Sequence, residues 1–178
     1  MLKIRWLMLV LGILVVIPAI AKGESQNVII AFVIGMLYAV IIIDPLGVKV
    51  FRFWKYAGTT KTYIFATVPC WGIFGILINI PWDWMHNHQW LAFSVITISL
   101  FLLMEMPNLR TKSWEYSVPL WLVAIGWIPL ILSYRFLYVI ALNIFSHQEV
   151  AFRLFLFFNT INLFKKPLYI NLTLLQNP

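Results

Sequence analysis

Residues 27–43 read NVIIAFVIGMLYAVIII, a run that carries no charged side chain and only Asn27 and Tyr38 as polar groups. A helix rises 1.5 Å per residue, so roughly 20 residues cross the hydrocarbon core of a bilayer. An uncharged apolar run close to that length is typical of a transmembrane helix and too long for a core strand. This stretch therefore predicts a helix that spans a membrane.

Comparable apolar runs recur along the rest of the chain. They predict a single all-α domain, which is a polytopic membrane bundle of six transmembrane helices. Residues 165–178 would form a cytoplasmic tail. The predicted spans are residues 6–22, 27–43, 63–80, 89–106, 118–145 and 150–164. The last run is short and contains Arg153, Asn159 and Asn162. Five spans result if that run lies on the membrane surface instead.

The first run has two interpretations. Its end, Ala19-Ile20-Ala21, fits the small-residue cleavage pattern of a signal peptide, and Lys3 and Arg5 precede it. Pro18 and the second run that begins at Asn27 fit an uncleaved first helix equally well. We favour the uncleaved helix over cleavage.

The composition supports the membrane assignment. Hydrophobic residues make up 62% of the 178 and charged residues 11%, whereas a soluble domain is about a quarter charged. The net charge of +7 is spread over short loops, so it indicates membrane topology and headgroup contacts and no nucleic-acid partner. Cys70 is the only cysteine, which excludes an intramolecular disulfide and makes a cysteine metal site implausible.

The distribution of basic residues predicts the orientation. With the N-terminus in the cytoplasm, ten of the thirteen Lys and Arg residues fall on the cytoplasmic side, as the positive-inside rule requires. These ten are Lys3, Arg5, Lys49, Arg52, Lys55, Lys61, Arg110, Lys112, Lys165 and Lys166. We therefore predict a multi-pass protein of a bacterial or archaeal cytoplasmic membrane, with both termini in the cytoplasm.

The loop between the third and fourth predicted spans reads PWDWMHNHQW, residues 81–90. On the predicted topology it lies at the outer face. Trp82, Trp84 and Trp90 are typical of anchors at the membrane–water interface, where the indole ring is half buried and its N–H is hydrated. We favour this structural interpretation of the loop.

The alternative interpretation is a reactive site at the outer face. The predicted topology places the loop at residues 146–149, which reads SHQE, on the same side of the membrane. The predicted catalytic residues of the site are Asp83, His147 and Glu149, and Trp82, Trp84 and Arg135 would bind a lipid or another substrate. A metal site formed by His86, His88 and His147 is a weaker prediction, since the spacing matches no known metal signature. Asp83 beside tryptophans could also protonate an isoprenoid, as cyclases require.

Two further acidic residues lie near the ends of predicted spans. Asp44 ends the second span, and Glu105 lies about one turn from the end of the fourth, close to Arg110 and Lys112. A carboxylate at that depth usually extends to the headgroup region, so we expect both side chains to reach a basic rim.

The chain lacks a phosphate-binding loop, a dinucleotide fingerprint, a nucleophile-elbow serine and a mid-span cluster of charges. No motif assigns it to a family or identifies a cofactor. We expect a small accessory, assembly or sensory component of the membrane. The alternative is a membrane-embedded enzyme, cyclase-like or metal-assisted, that acts on a lipid or isoprenoid at the outer face. Expected partners are the lipid bilayer and either another membrane protein or a lipid or isoprenoid ligand.

Overall fold

The computed structural model describes the backbone of residues 2–56 and 59–165, and the side chains of residues 6–56, 59–110 and 112–145. Over these residues the chain forms long helices and one short two-stranded sheet. The helices are α1, Leu2–Ala21; α2, Ser25–Val50; α3, Thr60–Trp84; α4, Gln89–Thr111; and α5, Leu120–Lys165. The strands are β1, Trp54–Tyr56, and β2, Trp114–Tyr116.

The fold is all-α, as predicted. Among the described residues, four helices are long and apolar enough to cross a membrane, over Ser25–Val50, Thr60–Trp84, Gln89–Arg110 and Leu120–Phe145. The apolar part of α1, Trp6–Ala21, is shorter. Helix α1 nevertheless packs on α3, with the Met8 side chain buried in the common core. The count of six spans stays a prediction, and so does cleavage of α1.

The last helix covers the two predicted spans 118–145 and 150–164 almost completely. The described backbone of α5 continues from Leu120 to Lys165 without the loop expected at residues 146–149. Glycine and proline are the residues that most often end a helix, and the sequence has neither between Leu130 and Lys166. Residues up to Ala141 form one compact unit, and those from Leu142 onwards belong to a second.

Two helices contain wide π-helical turns at the same end of the first unit. In α2 these are Ala39–Ile43 and Pro45–Val50, and in α3 the wide turn is Tyr63–Thr67. Pro45 and Pro69 have no N–H group. In each case the carbonyl group four residues earlier in the helix therefore lacks its usual donor. Wide turns of this kind occur often at functional sites. Asp44 lies between the two wide turns of α2.

Helices α2 and α3 pack so closely that their backbones touch, and glycines lie at the points of contact. A methyl group built on Gly35 would lie 2.5 Å from the carbonyl oxygen of Trp71, and one on Gly75 would meet the carbonyl oxygen of Ala31. Small residues in membrane helices allow this close approach, which maximises van der Waals contact between the helices. Gly35 and Gly75 therefore join two helices of one chain.

The core lies between α1, α3, α4 and the first part of α5. Phe74, Ile78, Trp127, Ile131 and Tyr134 are among its buried members. Large apolar side chains also cover the outer surface of the helices, including Phe65, Trp90, Trp121 and Phe136. A soluble monomer rarely exposes so extensive an apolar surface, so the outside of the bundle is suited to lipid.

The two strands join the loops that follow α2 and α4. They pair antiparallel, with Trp54 opposite Tyr116, Lys55 opposite Glu115 and Tyr56 opposite Trp114. Side chains alternate between the two faces of a strand, so the aromatic residues share one face and the charged residues the other. Lys55 and Glu115 form an exposed ion pair of 3.2 Å. The segment between α2 and α3 therefore contributes one strand of the sheet.

Candidate functional site

A cavity of about 730 Å³ lies beside the aromatic face of the sheet. Its walls come from α1 to α5 and from both strands, and nearly all of the lining atoms are apolar. Aromatic side chains form much of the wall, among them Tyr56, Trp71, Phe74, Trp114, Tyr116 and Trp127. The volume falls in the range of small-molecule sites, about 300–1,000 Å³. We call this space the aromatic cavity.

Glu105 is the charged side chain of the cavity wall, and it is only 2% exposed. Its Oε1 atom accepts hydrogen bonds from the Tyr116 hydroxyl at 2.6 Å and from Trp127 Nε1 at 3.2 Å. The side chains of Asn108 and Trp114 lie beside the same carboxyl group. Its Oε2 atom makes no hydrogen bond to any residue that the structure describes. A buried acceptor without a donor lowers the stability of the folded protein. The Oε2 atom is therefore a position at which a bound group could donate a hydrogen bond.

Asp44 is the second buried acid at this end of the bundle, and it is 6% exposed. The Tyr56 hydroxyl donates to its Oδ1 at 2.7 Å, and the Tyr63 hydroxyl donates to its Oδ2 at 2.5 Å. Trp71 Nε1 donates in turn to the Tyr56 oxygen at 3.3 Å. Both carboxyl oxygens of Asp44 are therefore satisfied, and Tyr56 and Trp71 connect this acid to the wall of the aromatic cavity.

The two strand tyrosines serve these acids as hydrogen-bond donors. Burial, together with the neighbouring charge of Asp44, holds the pKa of the Tyr56 phenol well above its ordinary value of 10.0. Burial and Glu105 raise the pKa of Tyr116 in the same way. Both phenols therefore keep their protons near neutral pH and continue to donate.

The burial of Glu105 and Asp44 corrects the expectation that they would extend to a basic rim. Both carboxyl groups point into the protein, where phenol and indole groups bind them. Two ion pairs are formed within the described residues, Lys55 with Glu115 and Arg135 with Asp83, and neither involves the buried acids. Fixed aromatic donors have replaced the water and lysines that were expected to solvate these carboxylates.

The opposite end of the bundle holds Asp83, the acid predicted to be catalytic. Arg135 Nη1 donates to Asp83 Oδ1 at 2.6 Å, and the Tyr138 hydroxyl donates to Oδ2 at 2.8 Å. The guanidinium carbon also lies 5.4 Å from the centre of the Trp82 ring, within cation–π range. Asp83 and Arg135 thus form a cross-link between α3 and α5.

The tryptophans of residues 81–90 differ from one another in position. Trp82 belongs to the core and donates to the Gln89 side chain, so it is not half buried as an interfacial anchor would be. Trp84 Nε1 donates to Glu24 at 2.9 Å, with Lys22 Nζ 4.2 Å from its ring centre. Trp90 is 84% exposed on the surface of the protein, and its role as an anchor stays a prediction.

The predicted histidine cluster is described only in part. His86 and His88 are exposed in the loop between α3 and α4. His147 and Glu149 lie outside the residues whose side chains are described, so their roles remain predictions. Within the described part of the chain, no three His, Cys, Asp or Glu side chains are grouped closely enough to hold a metal ion.

The sheet was not predicted from the sequence. The hydrogen-bond donors that its strands bring to the cavity were therefore not predicted either. A signal was present, because FWKY at residues 53–56 and SWEY at 113–116 share one pattern: aromatic, charged, aromatic. Opposite charges at the central positions and period-two alternation are typical of paired strands. The two segments also follow spans that were predicted to end on the same side of the membrane.

Comparison of the chain with protein-family models, with curated proteins and with solved structures finds no match.

Proposed function

We propose that this protein is an accessory or sensory component of the cytoplasmic membrane that binds an apolar molecule of the lipid or isoprenoid class in the aromatic cavity. One observation carries the proposal. A space of about 730 Å³ with almost wholly apolar walls contains one buried carboxyl group with an unused acceptor. Ligand sites have this character, with apolar walls that supply affinity and a few polar atoms that fix orientation.

The position of the cavity supports a ligand that arrives through the membrane. The cavity is bounded by helices whose outer surfaces are apolar, and it lies at the end of the bundle where Lys49, Arg52 and Lys61 are exposed. On the proposed orientation, with both termini in the cytoplasm, this is the cytoplasmic end. The proposed site therefore differs from the outer-face site that the sequence predicts around residues 81–90.

Photolabelling of the purified protein in lipid nanodiscs tests the proposal. A fatty alcohol with a diazirine group in its chain is expected to label the peptides that contain Cys70 to Phe74 and Trp114 to Tyr116. Unlabelled fatty alcohol should reduce this labelling, since a single site saturates and the bilayer does not. Labelling that is confined to outward residues such as Phe65 and Trp90, and that does not saturate, would contradict the proposal.

A pair of tryptophan substitutions controls the experiment. Val123 lines the cavity, and Val95 lies on the exposed side of α4. Val123→Trp should fill part of the cavity and reduce labelling of the cavity peptides by about tenfold or more, a loss of roughly 1.4 kcal/mol in affinity. Val95→Trp adds the same side chain outside the cavity and should leave the labelling unchanged.

A membrane-embedded enzyme acting on an isoprenoid is the second candidate function. The observation that favours it is the carboxyl group of Glu105 beside the indole of Trp127, inside a cavity of suitable size. As a carboxylic acid, Glu105 would give its proton to an alkene carbon, leaving a carboxylate and a carbocation that aromatic faces stabilise. Transfer of a different proton from the carbocation to the Glu105 carboxylate would complete an isomerisation and restore the acid. The sequence also predicts a site formed by Asp83, His147 and Glu149 at the outer face for such an enzyme.

Conversion of an isoprenoid alcohol tests the second candidate. The protein in nanodiscs is incubated with geranylgeraniol, and the extract is analysed by gas chromatography and mass spectrometry. An acid-catalysed isomerase is expected to form new compounds of unchanged mass, and Glu105→Gln should abolish them because an amide cannot supply the proton. Absence of any new isomer with the wild-type protein would exclude this activity for that substrate.

A further inference from the structure

We propose that the aromatic cavity selects a lipophilic amine in its protonated form, with the ammonium group bound to Glu105 Oε2 and the hydrocarbon part enclosed by the aromatic wall. This inference rests on the proposed function, because it names the chemical class of the ligand for the same cavity.

The hydrogen bonds of Glu105 are distributed unequally between its two oxygens. Tyr116 and Trp127 both donate to Oε1, whereas Oε2 receives no bond from the described residues although the side chain is 2% exposed. The side chain lines the aromatic cavity, so a ligand bound there would supply the donor that Oε2 lacks. An ammonium group offers three N–H donors, of which one would bind Oε2 and the others would face the aromatic rings of the cavity wall.

The charge balance at this end of the bundle distinguishes an ammonium group from a hydroxyl group. Glu105 and Asp44 are both buried, and neither forms an ion pair with a described lysine or arginine. The exposed bases of this end, such as Lys49 and Lys61, lie on the outside of the bundle. A hydroxyl ligand would supply a hydrogen bond but no opposite charge, so it would leave the ionised form of Glu105 without a partner. A cation supplies the hydrogen bond and the opposite charge together.

The walls add a third source of selectivity for a cation. Trp127, which donates to Glu105, also lines the cavity, and Trp71, Trp54 and Phe74 present further rings to the same space. Aromatic faces attract cations, and they do so more strongly where water is excluded. The same rings pack well against a hydrocarbon chain, so a single molecule with an apolar body and one ammonium group satisfies both parts of the site.

The test compares two probes of equal chain length. Binding of dodecylamine, which is protonated at pH 7, and of dodecanol, which offers a neutral hydroxyl donor, is measured by isothermal titration calorimetry of protein-containing nanodiscs, with empty nanodiscs subtracted. We expect the wild-type protein to bind the amine at least tenfold more tightly than the alcohol, a difference of about 1.4 kcal/mol. Equal affinities for the two probes would overturn the selection of an amine.

Two substitutions locate the binding group. Glu105→Gln keeps the shape and the acceptor for Tyr116 but removes the charge, and it should weaken amine binding at least tenfold while alcohol binding persists. Glu115→Gln removes an exposed acid from the same region and should leave both affinities unchanged. Unchanged amine affinity in Glu105→Gln would overturn the assignment to Oε2. Should this variant fail to fold, the comparison of probes on the wild-type protein decides the question alone.

The outcomes separate the inference from the proposed function. If both probes bind the wild-type protein equally, the cavity is a general apolar site and only the inference fails. If neither probe binds above the level of empty nanodiscs and the photolabel shows no saturable site, the proposed function fails. If the amine binds and Glu105→Gln abolishes its binding selectively, both are supported.

Discussion

Gly75→Ala is expected to lower the free energy of unfolding by about 1–3 kcal/mol, the usual cost of forcing an extra carbon into a filled space. The new methyl group would meet the carbonyl oxygen of Ala31 and lie 3.0 Å from the Cα atom of Gly35. Both neighbours belong to the backbone of α2, so no side chain can rotate out of the way. The two helices must separate, and their shared contact surface weakens along its length.

Gly126→Ala provides the matched control for this effect. An added methyl group at Gly126 meets no atom within 4 Å. Alanine favours a helix over glycine by about 1 kcal/mol, so this variant should be as stable as the wild-type protein or slightly more stable. Reversible unfolding in mixed micelles of a mild detergent and sodium dodecyl sulfate, followed by tryptophan fluorescence, measures both variants. A destabilisation of similar size at the two positions would show that close helix approach is not the cause.

Removal of the Arg135 side-chain charge is the second substitution for which a large effect is expected. Arg135→Gln would leave Asp83 as a partly buried carboxylate with Tyr138 as its remaining side-chain donor in the described residues. The side chains of Arg135 and Asp83 are 19% and 25% exposed, so water screens the pair only in part. We expect a loss of about 1–3 kcal/mol in stability, below the cost of breaking a fully buried pair.

A double-mutant cycle separates the interaction from the effects of each substitution alone. Arg135→Gln, Asp83→Asn and the double variant should give a coupling energy of at least about 1 kcal/mol. The pair Lys55 and Glu115 is the control, since its side chains are 74% and 56% exposed and such pairs contribute about 0–1 kcal/mol. A coupling energy no larger than that of the control would mean that Asp83 is not held mainly by Arg135, and its predicted catalytic role would regain weight.

The sequence was sufficient for the class of protein and for the approximate extent of several helices. The predicted spans 27–43, 63–80 and 89–106 fall inside α2, α3 and α4. These features follow from local composition, because a chain inside a bilayer must satisfy its backbone hydrogen bonds within each helix. Apolar length alone therefore indicates a helix, whichever neighbours it finds.

The sequence did not identify the candidate site, because that depends on contacts between separate elements. Glu105 receives its donors from Tyr116 and Trp127, and it looked like a residue that would reach the headgroups. Asp83 looked reactive beside three tryptophans, yet Arg135, 52 residues further along the chain, occupies one of its oxygens. Pairings of this kind are set by how helices cross and which side chains then meet.

Burial of a given side chain is likewise a property of the assembled helices. Hydropathy assigned Trp82, Trp84 and Trp90 to one aromatic belt, but packing placed Trp82 in the core and left Trp90 exposed. Composition along the chain thus determined that this protein consists of membrane-length helices. Only the tertiary structure decided which acid lies in an aromatic cavity and which is neutralised, because the free energy of a buried charge depends on the partners that packing brings within hydrogen-bonding distance.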